Sequence, residues 1–131
     1  YWAEKGEGAY LNGDKISVSK IDHTDDSIIT THTSAKGHDL KKALALIDKI
    51  AGNYWKVPGS FPASVCNLAR GLSDIHAEFD VGPVHRLAAT FIAVEAGGKA
   101  SRIDGSPSRI FDNEILVTNG ILHDSVVKML T

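Results

Sequence analysis

The hydrophobic period changes several times along the chain, and each change predicts an element. Near the start, two glycine turns, Lys5-Gly6-Glu7-Gly8 and Asn12-Gly13-Asp14, bracket the extended segment Ala9-Tyr10-Leu11. Asn-Gly between extended segments predicts a tight hairpin, because the favoured two-residue turn needs positive φ at both central positions. Lys15 to Ser19 alternates polar and apolar residues, which predicts a strand with one buried face. Ser27 to Thr33 is rich in β-branched residues and predicts another.

From Gly37 the period becomes helical. Leu40, Ala43, Leu44, Ile47 and Ile50/Ala51 form one stripe, and Gly52-Asn53 ends it. Tyr54 to Val57 predicts a short strand. Gly59-Ser60 leads into a second helix that ends near Gly71. Asp74 to Phe79 alternates again and predicts a strand, and Val81-Gly82-Pro83 a loop. Leu87 to Ala96 predicts a third helix, with Leu87, Phe91 and Val94/Glu95 about one turn apart and Gly97-Gly98 as its stop. Two more strands, Lys99 to Ile103 and Glu114 to Thr118, flank a turn at Asp104 to Ser108, and Ile121 to Leu130 predicts a last helix. Strands and helices alternate after Ser27. That order predicts an α/β fold: a layered single domain over residues 1–131, with a mixed β-sheet flanked by helices.

Composition narrows the class. The 131 residues are 43% hydrophobic and 23% charged, as in an ordinary globular domain and unlike a disordered chain. Fourteen Lys and Arg against sixteen Asp and Glu give a net charge of −2, which argues against a nucleic-acid partner. Apolar runs such as Phe91 to Val94 fall far short of the ~20 residues a membrane span needs. The single cysteine, Cys66, makes neither an internal disulfide nor a zinc cluster, and reads as a small buried apolar residue. With no leader at the start, it also points to a cytoplasmic location. The opening Tyr1-Trp2-Ala3-Glu4 carries no initiator Met and reads as a start inside a longer chain.

Several residues could carry chemistry. Gly59-Ser60 stands at a helix start, where free N–H groups and a partial positive charge suit phosphate, although Ser60 also fits a plain N-cap. Asp74 and Glu78 lie four apart on one strand face, as a solvated pair or a carboxylate site. His85-Arg86 precedes a helix; a surface location is the default and a bound anion the functional explanation. Glu95 sits at a negative helix end and needs a partner. His23, His32, His38, His76 and His123 show no metal-ligand spacing and read as structural or exposed. Ser60 lacks the G-x-S-x-G setting of a serine nucleophile.

In order and spacing these segments resemble the C-terminal half of the inositol monophosphatase family. Ala3 to Gly13 resembles its A-x-K-G-x-G-A-[FY]-x-N-G segment. Gly59-Ser60, Cys66, Ala69, Gly71 and Asp74 resemble its G-[ST]-A-A helix and the strand after it, Glu95 to Gly98 its E-A-G-G, and Glu114 to Asn119 its I-x-A-x-N strand. The resemblance implies a metal-dependent phosphatase acting on inositol or sugar phosphate monoesters, with magnesium held by carboxylates. It implies that Gly59 and Ser60 contact substrate, that Phe61 narrows the pocket where the family has a small alanine, and that Glu78 binds a substrate hydroxyl. Asp74 matches a structural position.

Two departures matter. Counting back from Glu95 without a gap, His85 occupies the position of the family's metal-binding Asp in W-D. Magnesium prefers oxygen ligands, and a softer metal such as zinc or manganese tolerates histidine better. The family's D-P-x-D-G-T segment is absent from these residues, so no catalytic residue is assigned here. The expectation is therefore an inactive isolated chain. An N-terminal domain would supply most metal ligands, would pair with the strand beginning at Tyr1, and would cover Tyr1, Trp2 and Tyr10. A homodimer is a further expectation from the family. The alternative is a non-catalytic relative that binds a phosphorylated ligand or a protein partner.

Overall fold

The computed structural model describes residues 1–32, 38–50, 55–56 and 59–131. The expected helix stop at Gly52-Asn53 and the outer ends of the 27–33 and 54–57 segments lie outside the described residues. The chain opens with an antiparallel three-stranded sheet of β1 (Trp2–Glu4), β2 (Gly8–Leu11) and β3 (Asp14–Ile16). Leu11 pairs with Asp14, so the β2–β3 loop is Asn12-Gly13, with φ of 52° and 93°. This is the predicted hairpin turn, for which glycine is needed at the second position.

A five-stranded mixed sheet follows. It is built from β4 (Ile29–His32), β5 (Trp55–Lys56), β6 (Ile75–Phe79), β7 (Lys99–Ser101) and β8 (Glu114–Thr118), in the order β5-β4-β6-β8-β7. β4 runs parallel to β5 and β6, and β8 antiparallel to β6 and β7. Helices α2 (Phe61–Ala69) and α3 (Pro83–Glu95) lie between the two sheets, and α1 (His38–Ile50) and α4 (His123–Leu130) cover the outer face. One core joins Ala9, Val65, Leu68, Ala89, Ala93 and Val117, and the other joins Ile29, Ile50, Ile75, Leu116, Leu122 and Val126. The expected layered α/β architecture is present, with a sheet that has helices on both faces.

The helix faces need correction. On α1, Ile50 is buried and Ile47 half-buried, but Leu44 is 55% exposed. On α3 the turn-spaced Leu87, Phe91 and Val94 point outward, and the buried positions are Arg86, Ala89 and Ala93. Between two sheets and beside α2 there is little depth, and a face of alanines lets the helix approach closely. The helix also starts four residues earlier than expected, with Pro83 in its first turn, where the missing N–H costs nothing. It ends as the glycines predict. Gly97 N–H bonds to the Val94 carbonyl and Gly98 N–H to that of Ala93, a Schellman pair. Gly98 also packs tightly: a Cβ there would stand 2.8 Å from the Thr118 carbonyl oxygen.

The partner that Glu95 requires is the Gly6 N–H, 3.0 Å away, which ties the first hairpin to the end of α3. Asp74 is a tie as well. Buried just ahead of β6, its carboxylate accepts the Ile28 N–H at 2.7 Å and the Ser19 hydroxyl. Its carbonyl accepts the Asn119 N–H, so it joins three segments and is neither solvated nor paired with Glu78. Cys66 is half-buried rather than fully enclosed, and burial pushes its thiol up.

His123 illustrates how a buried histidine stays neutral. Its Nδ1 faces the Thr118 hydroxyl at 3.0 Å and its Nε2 the Ser101 hydroxyl at 2.9 Å. Ser101 spends its own proton on the Arg102 carbonyl, so Nε2 carries the hydrogen and Nδ1 accepts from Thr118. Burial, aided by the charge of Lys99 and opposed by Asp124, holds His123 below its ordinary value of 6.5. Above that value both native and unfolded chains are neutral here. As pH falls below it the unfolded histidine takes a proton first, so stability is lost until the native ring itself protonates. The urea midpoint is expected to fall between pH 7 and pH 5, and His123→Gln should flatten that fall. An equal fall in the variant would assign the effect elsewhere.

Candidate functional site

A pocket of about 200 Å³ opens where the start of α2, the end of β6 and the start of α3 meet. It is lined by Gly59, Ser60, Phe61 and Pro62, by Glu78, Asp80, Val81 and Gly82, and by His85. The five residues singled out from the sequence, Gly59, Ser60, Phe61, Glu78 and His85, therefore reach one cavity from three elements. Strand β6 and helix α3 are joined by only three residues, which is why Glu78 and His85 arrive together.

Ser60 occupies the N-cap position of α2 in extended conformation, yet its side chain makes no capping hydrogen bond. Its carbonyl accepts both the Ser64 N–H and the Ser64 hydroxyl. Pro62 has no N–H, so the free first-turn donors are those of Phe61 and Ala63. The helix thus offers two backbone donors, an exposed hydroxyl and the positive end of its dipole at the pocket. Phe61 lines the cavity while most of its ring is enclosed. It is 3% exposed, its ring packed in the core edge-to-face with His76 at 5.2 Å between centroids.

Glu78 is 6% exposed, and its Oε2 lies 3.1 Å from His76 Nε2. The other His76 nitrogen lies 2.8 Å from the Thr30 hydroxyl on the neighbouring strand. His76 is fully buried, so it is structural in a specific sense: it contacts a pocket carboxylate. His23 is exposed, and the side chains of His32 and His38 lie outside those described. His85 is exposed at the rim.

Arg86 is not at the surface, and it is no anion ligand. Its guanidinium is buried and donates to the carbonyls of Arg109, Asp112 and Glu114. It pins the 109–114 segment to the first turn of α3 and so fixes the helix that carries His85. Asp80 was missed by sequence reasoning. It lines the pocket with φ of 60°, its N–H bonded to the Asn113 carbonyl, and aspartate is among the few side chains that tolerate this left-handed region. The available signal was its place between Glu78 and the Gly82-Pro83 turn.

The described residues do not by themselves complete a magnesium site. Among the described residues no group of three His, Cys, Asp or Glu side chains could hold a metal ion. Around the pocket, one Glu78 oxygen is already engaged by His76, and His85 is a nitrogen ligand. Among the described residues no helix is long and apolar enough to cross a membrane.

The architecture defines a layered α/β protein with a pocket at the end of its central strand, walled by two helix starts. A sequence profile of the inositol monophosphatase family matches residues 1–131. The chloroplastic phosphatase IMPL1 of Arabidopsis thaliana is 30% identical over 133 residues, covering 98% of this chain and 35% of that protein. The fructose-1,6-bisphosphatase/inositol-1-monophosphatase of Thermotoga maritima is 25% identical, with 98% and 49% covered. A solved Thermotoga maritima IMPase shares the fold with a TM-score of 0.85 at 25% identity, over 98% of this chain and 49% of its own. The chain belongs to the inositol monophosphatase family. It spans about a third to a half of the length of these relatives.

The buried Arg86 gives a direct test of how the pocket wall is held. Arg86→Leu strands three carbonyls and is expected to lower unfolding free energy by about 3 kcal/mol in urea titration. A loss within measurement error would show that the 109–114 segment is held by other contacts.

Proposed function

We propose that this chain forms one wall of the active site of a phosphatase acting on inositol or sugar phosphate monoesters. The observation that carries the reading is the convergence of Gly59, Ser60, Phe61, Glu78 and His85 on one pocket. The start of α2 suits phosphoryl oxygens: its N–H groups and dipole favour an anion, and the uncapped Ser60 hydroxyl adds a donor. Glu78 offers an acceptor oxygen to a substrate hydroxyl. His85 supplies a further polar group at the rim. Relatives named as inositol-1-monophosphatase and fructose-1,6-bisphosphatase support both substrate classes.

In this reading the chain's own residues bind and orient the phosphate ester. The remaining length of the relatives is the natural source of the carboxylates for a magnesium site. Trp2 is 50% exposed and its ring stacks on that of half-buried Tyr10 at 4.3 Å, on the outer side of the first sheet. We assign that aromatic face, beside the β1 edge, to contact with the other part of the enzyme. A homodimer and a cytoplasmic location remain part of this reading. His85 at the family's Asp position favours a second reading, a relative that binds a phosphorylated ligand without hydrolysing it.

The 131-residue chain is expected to release no phosphate from inositol 1-phosphate with magnesium. Robust turnover abolished by EDTA would overturn that expectation. In a chain completed with a segment bearing D-P-x-D-G-T, His85→Asp should raise magnesium-dependent turnover. If the substitution changes nothing, His85 does not stand at the metal position.

A further inference from the structure

We propose that His76 is a positioning residue for Glu78, and that Thr30, His76 and Glu78 form a relay that aims the carboxylate at the ligand. The proposal rests on the reading of Glu78 as the hydroxyl acceptor. All three side chains are buried and lie on the same side of the five-stranded sheet, with Thr30 and His76 directly paired across β4 and β6. The Phe61 ring closes over the imidazole from the first turn of α2, so His76 has no water to turn toward.

Proton counting narrows the direction of the relay. The Thr30 hydroxyl has one hydrogen and two neighbours, His76 Nδ1 at 2.8 Å and the Ile75 carbonyl at 3.2 Å. If Thr30 donates to Nδ1, the neutral ring carries its hydrogen on Nε2. If Thr30 donates to Ile75, Nδ1–H must donate to Thr30. In either arrangement an ionised Glu78 needs a hydrogen on Nε2, because two bare acceptors would otherwise meet at 3.1 Å in a buried site. The relay takes the first arrangement, in which His76 donates to Oε2 and leaves Oε1 for the pocket. A carboxylate held by one oxygen is an acceptor with one open direction. It suits a hydroxyl donor and repels a second anion, so the relay separates a polyol phosphate from phosphate alone.

The test uses the 131-residue chain with two variants. His76→Phe keeps a ring against Phe61 and removes both nitrogens, whereas His76→Gln keeps a donor near the Nε2 position. Long-range ¹H–¹⁵N spectra of the wild-type chain should show a hydrogen on His76 Nε2. A ring protonated on Nδ1 alone overturns the relay whether or not any ligand binds. Isothermal titration compares inositol 1-phosphate with inorganic phosphate. His76→Phe should weaken inositol 1-phosphate about tenfold and leave inorganic phosphate unchanged, with His76→Gln recovering most of the loss. Equal loss for both ligands, or no loss in a folded His76→Phe chain, overturns it. If the wild-type chain binds neither ligand while Nε2 carries its hydrogen, the reading of the pocket fails and the relay stands.

Discussion

A strand buried on both faces cannot carry polar side chains unless they satisfy one another, and β6 is such a strand. Ile75 and Ala77 face the outer helices, while His76 and Glu78 face the helices between the sheets. The imidazole solves the problem by bonding sideways to Thr30 and forward to Glu78. Only the last member of this series reaches open space. The pocket is where the buried polar face of the central strand runs out, and both flanking helices begin there. Placement of the ligand site thus follows from the need to satisfy a polar row inside a sheet with helices on both sides.

The surrounding ties serve the same geometry. Asp74 secures the N-terminal end of β6 to the segments around Ser19, Ile28 and Asn119. Arg86 secures the start of α3 to the segment leading into β8. Glu95 secures the far end of α3 to the first hairpin. Each uses a charged or polar side chain to hold backbone groups, which costs less than leaving those groups unpaired in the interior. The pocket is therefore shaped by backbone held at several points, and not by its lining side chains alone.

Much of this was legible in the sequence where local chemistry decides the outcome. Asn12-Gly13, the Gly97-Gly98 stop and the strand at Glu114 to Thr118 follow from turn residues and short-range periodicity. The pocket residues were reached through the family resemblance, since no spacing rule links Ser60, Glu78 and His85. What the sequence does not show is which face is buried. On α3 the large apolar residues look like the core row, but the space between two sheets admits the alanine face. On β6 the alternation looks half-exposed, because a sequence does not show that helices cover both sides. Arg86 looked like surface charge because its acceptors are carbonyls some 23 to 28 residues away. Asp80 was passed over because its backbone angle does not show in the sequence, although its place before the Gly82-Pro83 turn does.

The central claim is that the end of β6, with the starts of α2 and α3, is where this chain meets a phosphorylated polyol. Amide shift mapping of the ¹⁵N-labelled chain during titration with inositol 1-phosphate tests it most directly. The account predicts changes clustered at Ser60, Phe61, Ala63, Asp80, Gly82 and His85. Changes centred instead on the groove that Leu87, Phe91 and Ile110 help to line, or no saturable change at all, would contradict it.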